Sequence, residues 1–225
     1  MNRLQNIFTN AAHPLFVADV CGAPDMVQSE KRIQTLIDNS VDIVNLIVPF
    51  SDPMADGAAV QTAAQQALAN GADLEKVLQM IARIRKNNPA VGLVISGYYN
   101  VFLQYGLEKL FDRLAELEID GILICDLPHE ERGEIADLCN KSQVARIVDC
   151  GIVKDTARLQ VITAEAAGFI ICSAPEAVEF LSKTVSVPLA VDAAFPVCGN
   201  AVMLPTQAVT TRTEDLAELI KQYRK

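Results

Sequence analysis

Residues 92–125 open with Gly92-Leu93-Val94-Ile95-Ser96, pass through an amphipathic stretch at Leu107–Leu117, and close with Gly121-Ile122-Leu123-Ile124-Cys125. Both end runs are short and apolar on alternate as well as successive positions, the pattern of parallel strands covered on two faces. Parallel strands cannot be joined by a tight turn, so the stretch between them reads as a crossover helix. The same unit recurs in both directions. Candidate strands are Leu15–Val20, Ile43–Val48, Gly92–Ser96, Gly121–Cys125, Ala145–Val148, Phe169–Cys172, Leu189–Val191 and Ala201–Leu204. Helical patterns lie between them at Gln28–Asn39, Leu74–Arg85, Leu107–Leu117, Glu130–Leu138, Thr156–Ala166 and Pro175–Leu181, and Glu214–Tyr223 closes the chain. Eight strands in strict alternation with helices predict a (β/α)₈ barrel formed as one domain over residues 1–225. Phe195–Asn200 is too short for a covering helix, so the seventh helix is expected to be missing. A doubly wound open sheet is the competing architecture, but no G-x-G-x-x-G follows the first strand to support it.

Composition narrows the function. The chain of 225 residues is 51% hydrophobic and 21% charged, enough apolar material for a core. Lys and Arg number 19 against 28 Asp and Glu, a formal charge of −9. That balance argues against nucleic acid and anionic membrane surfaces as partners, since both demand a basic face. The six cysteines (Cys21, Cys125, Cys139, Cys150, Cys172 and Cys198) include no C-x-x-C pair, and several sit inside apolar runs. They read as reduced structural thiols of a cytoplasmic protein. With only His13 and His129, a cysteine–histidine zinc site is not expected. No apolar run approaches the roughly 20 residues of a membrane span, and Met1–Asn6 lacks the apolar core of a signal peptide.

In a barrel the active site lies at the C-terminal ends of the strands. The richest such end follows the second strand: Pro49-Phe50-Ser51-Asp52-Pro53-Met54-Ala55-Asp56-Gly57. Taken plainly, Asp52 is a turn residue and Asp56 an N-cap for the next helix. Taken functionally, two carboxylates on a stiffened loop face the barrel mouth. Tyr98 and Tyr99 end the third strand, where they suit a ligand pocket or rim packing equally. Asp126 ends the fourth strand within an Asp-Leu-Pro turn. Asp56, Asp126, Asp149 and Asp192 together could form an acidic ring for Mg²⁺ or a cationic ligand, although rim carboxylates are ordinarily solvated. His129 reads as a surface histidine. Cys172 and Ser173 have no neighbouring histidine in sequence to activate them.

The nine residues Pro49–Gly57 resemble the Pro-Phe-Ser-Asp-Pro-Leu-Ala-Asp-Gly signature of the tryptophan synthase alpha chain family. Phe16-Val17 with Gly22-Ala23-Pro24, Tyr98-Tyr99-Asn100 with Leu103–Gly106, and Asp126-Leu127-Pro128 with Glu130-Glu131 extend the similarity over roughly the first 140 residues. The resemblance implies a barrel that cleaves indole-3-glycerol phosphate to indole and glyceraldehyde 3-phosphate without a cofactor or metal, and passes indole to a pyridoxal-phosphate beta chain. It implies that Asp56 meets the indole N–H, and that Phe50, Tyr98, Asp126, Pro205 and Thr206 lie about the substrate. It also implies a proton-shuttling glutamate four residues before Pro49.

That position holds Asn45. An amide cannot take and return a proton at neutral pH. General acid–base catalysis supplies about 10²–10⁴-fold, so its loss would raise the barrier by about 3–5 kcal/mol. The phosphate end departs from the family as well. Ile171-Cys172-Ser173-Ala174-Pro175-Glu176 runs straight into a helix where the family has a glycine-bearing mobile loop. Asp192-Ala193-Ala194-Phe195 replaces Gly-Phe-Gly-Ile, and Pro205-Thr206 replaces Gly-Ser. Proline has no N–H for an anion. The expectation is therefore a family member with impaired lyase activity. Two other readings are a non-catalytic subunit that modulates a beta chain, and a barrel acting on an unphosphorylated ligand.

Overall fold

Along each strand the side chains alternate between a layer of helices outside and a narrow interior, and this alternation builds the molecule. The computed structural model describes residues 3–13, 15–21, 26–192, 200–204, 218, 220 and 221. The strand segments are β1 (Leu15–Cys21), β2 (Ile43–Ile47), β3 (Gly92–Gly97), β4 (Gly121–Ile124), β5 (Ala145–Arg146), β6 (Val148–Asp149), β7 (Ile170–Cys172), β8 (Leu189–Asp192) and β9 (Ala201–Met203). They pair in the order β5-β4-β3-β2-β1-β9-β8-β7-β6, every pair parallel.

β5 and β6 are two halves of one barrel strand. Ile147 N–H still donates to Ile122 of β4, whereas Val148 N–H donates to Phe169 ahead of β7. The chain changes partner at this point, so the sheet closes into a barrel of eight strands counted by chain passage. The open-sheet alternative falls, because the two ends of the strand order, β5 and β6, are consecutive pieces of one chain passage.

The covering helices are α1 (Arg3–Thr9), α2 (Met26–Asp38), α3 (Ala58–Ala69), α4 (Leu74–Asn87), α5 (Tyr99–Tyr105), α6 (Leu107–Glu116), α7 (Gly133–Ser142), α8 (Thr156–Thr163) and α9 (Pro175–Thr184). Local chemistry explains several starts. Asp73 accepts from Lys76 N–H at 2.8 Å to cap α4, Asp155 accepts from Arg158 N–H at 2.7 Å to cap α8, and Pro175 opens α9. Between β7 and α9 only Ser173 and Ala174 intervene. The expected absence of a seventh helix falls on residues 193–199, outside the described residues, as does most of Glu214–Tyr223.

The lower interior is apolar: Leu15, Val17, Ile43, Val94, Leu123, Ile147 and Phe169 pack inward, and Leu4 of α1 plugs the base. Gly92 is required there, because an added Cβ would fall 2.9 Å from Ile43 Cγ1 and 3.1 Å from Leu4 Cδ2. A buried ion cluster seals the same end. Asp120 accepts from Arg85 Nη2 at 2.7 Å, from Leu93 N–H at 2.8 Å, and from Arg3. No helix among the described residues is long and apolar enough to cross a membrane. The five described cysteines are free thiols, four of them buried.

Candidate active site

Following each strand toward its C-terminal end, the inward positions turn from apolar to polar. Leu15 and Val17 give way to Asp19, Ile43 to Asn45, Val94 to Ser96, and Ala190 to Asp192. These residues line a cavity of about 470 Å³ at the C-terminal mouth. Asp56 and Asp149 enter the same cavity from the loop after β2 and the end of β6. Arg132, ahead of α7, is its one cationic side chain among the described residues.

Asp56 is not the helix cap suggested by its spacing. Gly57 occupies the cap position of α3 and no side chain caps it. The Asp56 carboxylate instead accepts from the Tyr98 hydroxyl at 2.7 Å, and that same hydroxyl accepts from Ala55 N–H at 2.9 Å. Phe50 stacks on the Tyr98 ring with centroids 5.1 Å apart and planes 28° off parallel. Tyr98 is 3% exposed and stands behind the carboxylate rather than in the cavity. Burial pushes the Asp56 carboxyl above the ordinary carboxylate range, and the Tyr98 hydrogen bond opposes part of that rise.

Asn45 is one of the residues lining the cavity and is 4% exposed. Its Nδ2 donates to Asp19 Oδ1 at 2.8 Å across the β1–β2 pairing, where Asp19 and Asn45 stand opposite each other. Its Oδ1 is buried and has no hydrogen-bond partner in the fold. A buried acceptor without a partner is a local cost to the fold.

The carboxylates make the mouth strongly negative. Burial together with Asp56, Asp149, Asp126 and Asp19 pushes the Cys125 thiol up to about 12. Asp149 lines the cavity and accepts from Gly151 N–H at 2.7 Å, yet crowding by protein, with a smaller contribution from Asp56, raises its carboxyl. Desolvation lowers the Arg132 guanidinium, which donates to the Ile162 carbonyl at 3.0 Å.

Three members of the acidic ring, Asp56, Asp149 and Asp192, therefore meet in the cavity. Asp126 does not line it: it is exposed and accepts from Tyr99 N–H at 2.7 Å, tying the loop after β4 to the start of α5. Among the described residues no three His, Cys, Asp or Glu side chains are grouped so that they could hold one metal ion. Ser173 reaches the cavity, Tyr99 bonds Glu134 outside it, and His129 lies beside Arg132 in a 3₁₀ turn at His129–Glu131. Pro205 and Thr206 lie outside the described residues. Sequence reasoning overlooked Asp19, although the period-two run Leu15, Val17, Asp19 already pointed it inward.

A closed parallel barrel with its polar cavity at the C-terminal mouth defines the class: a (β/α)₈ barrel. Comparison with known proteins narrows it. Residues 9–191 match the family model for the tryptophan synthase alpha chain, and the chain belongs to that family. It is 35% identical over 174 residues to the tryptophan synthase alpha chain of Geobacter sulfurreducens, a stretch covering 76% of this chain and 66% of the relative. It is 40% identical over 153 residues to that of Roseiflexus sp., covering 68% and 59%. The matched stretch thus spans under two thirds of these curated relatives. A solved structure from Aquifex aeolicus VF5 superposes with a TM-score of 0.90 at 26% identity, covering 100% of this chain and 98% of that one. The tryptophan synthase subunit alpha of Legionella pneumophila, 22% identical with coverages of 100% and 97%, has the same fold at a TM-score of 0.88.

Proposed function

We propose that this chain is an alpha-type lyase of tryptophan biosynthesis, cleaving indole-3-glycerol phosphate at a reduced rate. The observation that carries this reading is Asp56, fixed by the Tyr98 hydroxyl on the rim of a mouth that is lined by an amide at Asn45. In the reaction the ring carbon bearing the glycerol chain gains a proton. The bond to that chain then breaks as the adjacent hydroxyl loses its proton, giving indole and an aldehyde. Positive charge develops on the ring nitrogen in between. A carboxylate held beside the N–H, with its own hydrogen bond keeping it in place, stabilises that charge without reorganising. The written steps need no metal or cofactor.

Proton transfer is the weak half. Asn45 is an amide and cannot carry the proton. Turnover at least about 10²-fold below that of an intact alpha chain is expected. The test is a titration with indole-propanol phosphate alongside steady-state indole release from indole-3-glycerol phosphate. Binding with slow release supports the reading. Release at the rate of an intact alpha chain, or no binding at all, contradicts it, and binding confined to unphosphorylated indole analogues would favour a repurposed cavity.

A second role is favoured by one surface feature. Met54 is 90% exposed on the loop that positions Asp56, and Ile152 is 79% exposed on the loop beside the mouth. Two large apolar side chains left in water at a mouth suit a docking face. We infer that this rim meets a beta chain in the cytoplasm, as the family resemblance implies. No complex with a cognate beta chain at micromolar concentration, and no change in its rate, would retire that role.

A further inference from the structure

The carboxylate missing from Asn45 has a counterpart on the adjacent strand. Asp19 of β1 stands in register with Asn45 of β2, receives its amide N–H at 2.8 Å, and lines the same cavity as Asp56. Asn45 is almost fully covered whereas Asp19 is partly open to the cavity, so of the two side chains it is the carboxylate that reaches the reaction space. The hydrogen bond also fixes the amide's orientation, with Nδ2 turned toward Asp19.

We propose that Asp19 is the catalytic proton carrier of this barrel, acting from β1 where the family resemblance places a glutamate on β2. This rests on the lyase reading above. Asp19 in its acid form delivers its proton to the ring carbon that bears the glycerol chain, and the ring nitrogen becomes an iminium whose N–H faces Asp56. Asp19, now a carboxylate, takes the proton of the hydroxyl on the attached carbon. The carbon–carbon bond breaks, its electron pair restores the aromatic ring, and the hydroxyl-bearing carbon leaves as the aldehyde. The acid form of Asp19 is regenerated, so protons and electrons balance with no further reactant. Moving the group to the neighbouring strand displaces it by about 4.8 Å, and aspartate is one methylene shorter than glutamate. A positioning error of that size accounts for chemistry that is slow rather than absent.

Asp19→Asn keeps the size of the side chain and its place opposite Asn45. In this variant steady-state indole release should fall at least 10-fold and the acidic limb of the kcat–pH profile should disappear. Affinity for indole-propanol phosphate should hold within about twofold. Asp19→Glu should retain turnover, and adding Asn45→Glu to Asp19→Asn should restore it. Asp19→Asn with wild-type turnover overturns the assignment and leaves the lyase reading standing. Loss of mimic binding together with turnover also overturns it, making Asp19 a structural residue. Wild-type protein that binds the mimic but releases no indole overturns the lyase reading itself.

Discussion

Tyr98 shows how much of the site one hydroxyl holds. It donates to Asp56 and accepts from Ala55 N–H, so Tyr98→Phe leaves a carboxylate and a backbone donor short of partners. A loss of about 1–3 kcal/mol in urea unfolding is expected, together with slower indole release. Asp149 provides a test by pH. Its folded carboxyl is raised above the unfolded value, so the native state takes up the proton first as pH falls. Its contribution to stability is therefore unfavourable at neutral pH, improves as pH drops through the folded pKa, and levels off below the unfolded value near 4. Because the Asp149 side chain is itself exposed, Asp149→Asn should raise the urea midpoint at pH 7 only slightly, and the gain should vanish below about pH 4. At this scale the sequence revealed Asp56 and the exchange at Asn45 through a motif. It concealed the Asp56–Tyr98 bond, because a contact between loops 42 residues apart leaves no local trace. Asp126, which suits a strand-to-loop turn as well as a functional carboxylate in the sequence, is engaged by the neighbouring loop.

Among the elements, those with strong periodicity were legible and those without were not. α4, with Leu78, Ile81 and Ile84 on one stripe, could be read from spacing alone. The alanine-rich α3 has little contrast between its faces, and only the turn residues before it, through Gly57, pointed to a helix there. The fifth barrel strand reads as a single run, Ala145–Val148, in the sequence. Its change of partner at Ile147 is a property of the closed sheet, not of the residues. α1 was not anticipated either, although it supplies both the apolar plug and part of the ion cluster at the base. Leu4, with no exposure, should cost about 2–5 kcal/mol on change to Ala. Asp120→Ala should cost about 3–5 kcal/mol by stranding the buried Arg85 guanidinium. Both are measured by denaturant unfolding. Since neither residue touches the mouth, affinity for indole-propanol phosphate should be retained in the folded fraction.

Over the whole molecule, stability and function occupy opposite ends of one interior. Apolar inward residues and the Asp120 cluster close the base, and the same inward positions become Asp19, Asn45, Ser96 and Asp192 at the mouth. Parallel strands force this division, because every chain passage delivers its C-terminal end to the same side. Alternation of strand and helix made the barrel readable, while much of the phosphate end expected from the resemblance (residues 193–195, Pro205 and Thr206) lies outside the described residues. The exposed Met54 extends the mouth outward: Met54→Glu should abolish a complex with a beta chain in sedimentation while leaving mimic binding unchanged. A carboxylate displaced by one strand is the feature that sets this chain apart, and steady-state indole release by Asn45→Glu against the native chain probes it without intermediaries. A rise of about 10²-fold at saturating indole-3-glycerol phosphate is expected. An equal or lower rate would contradict it.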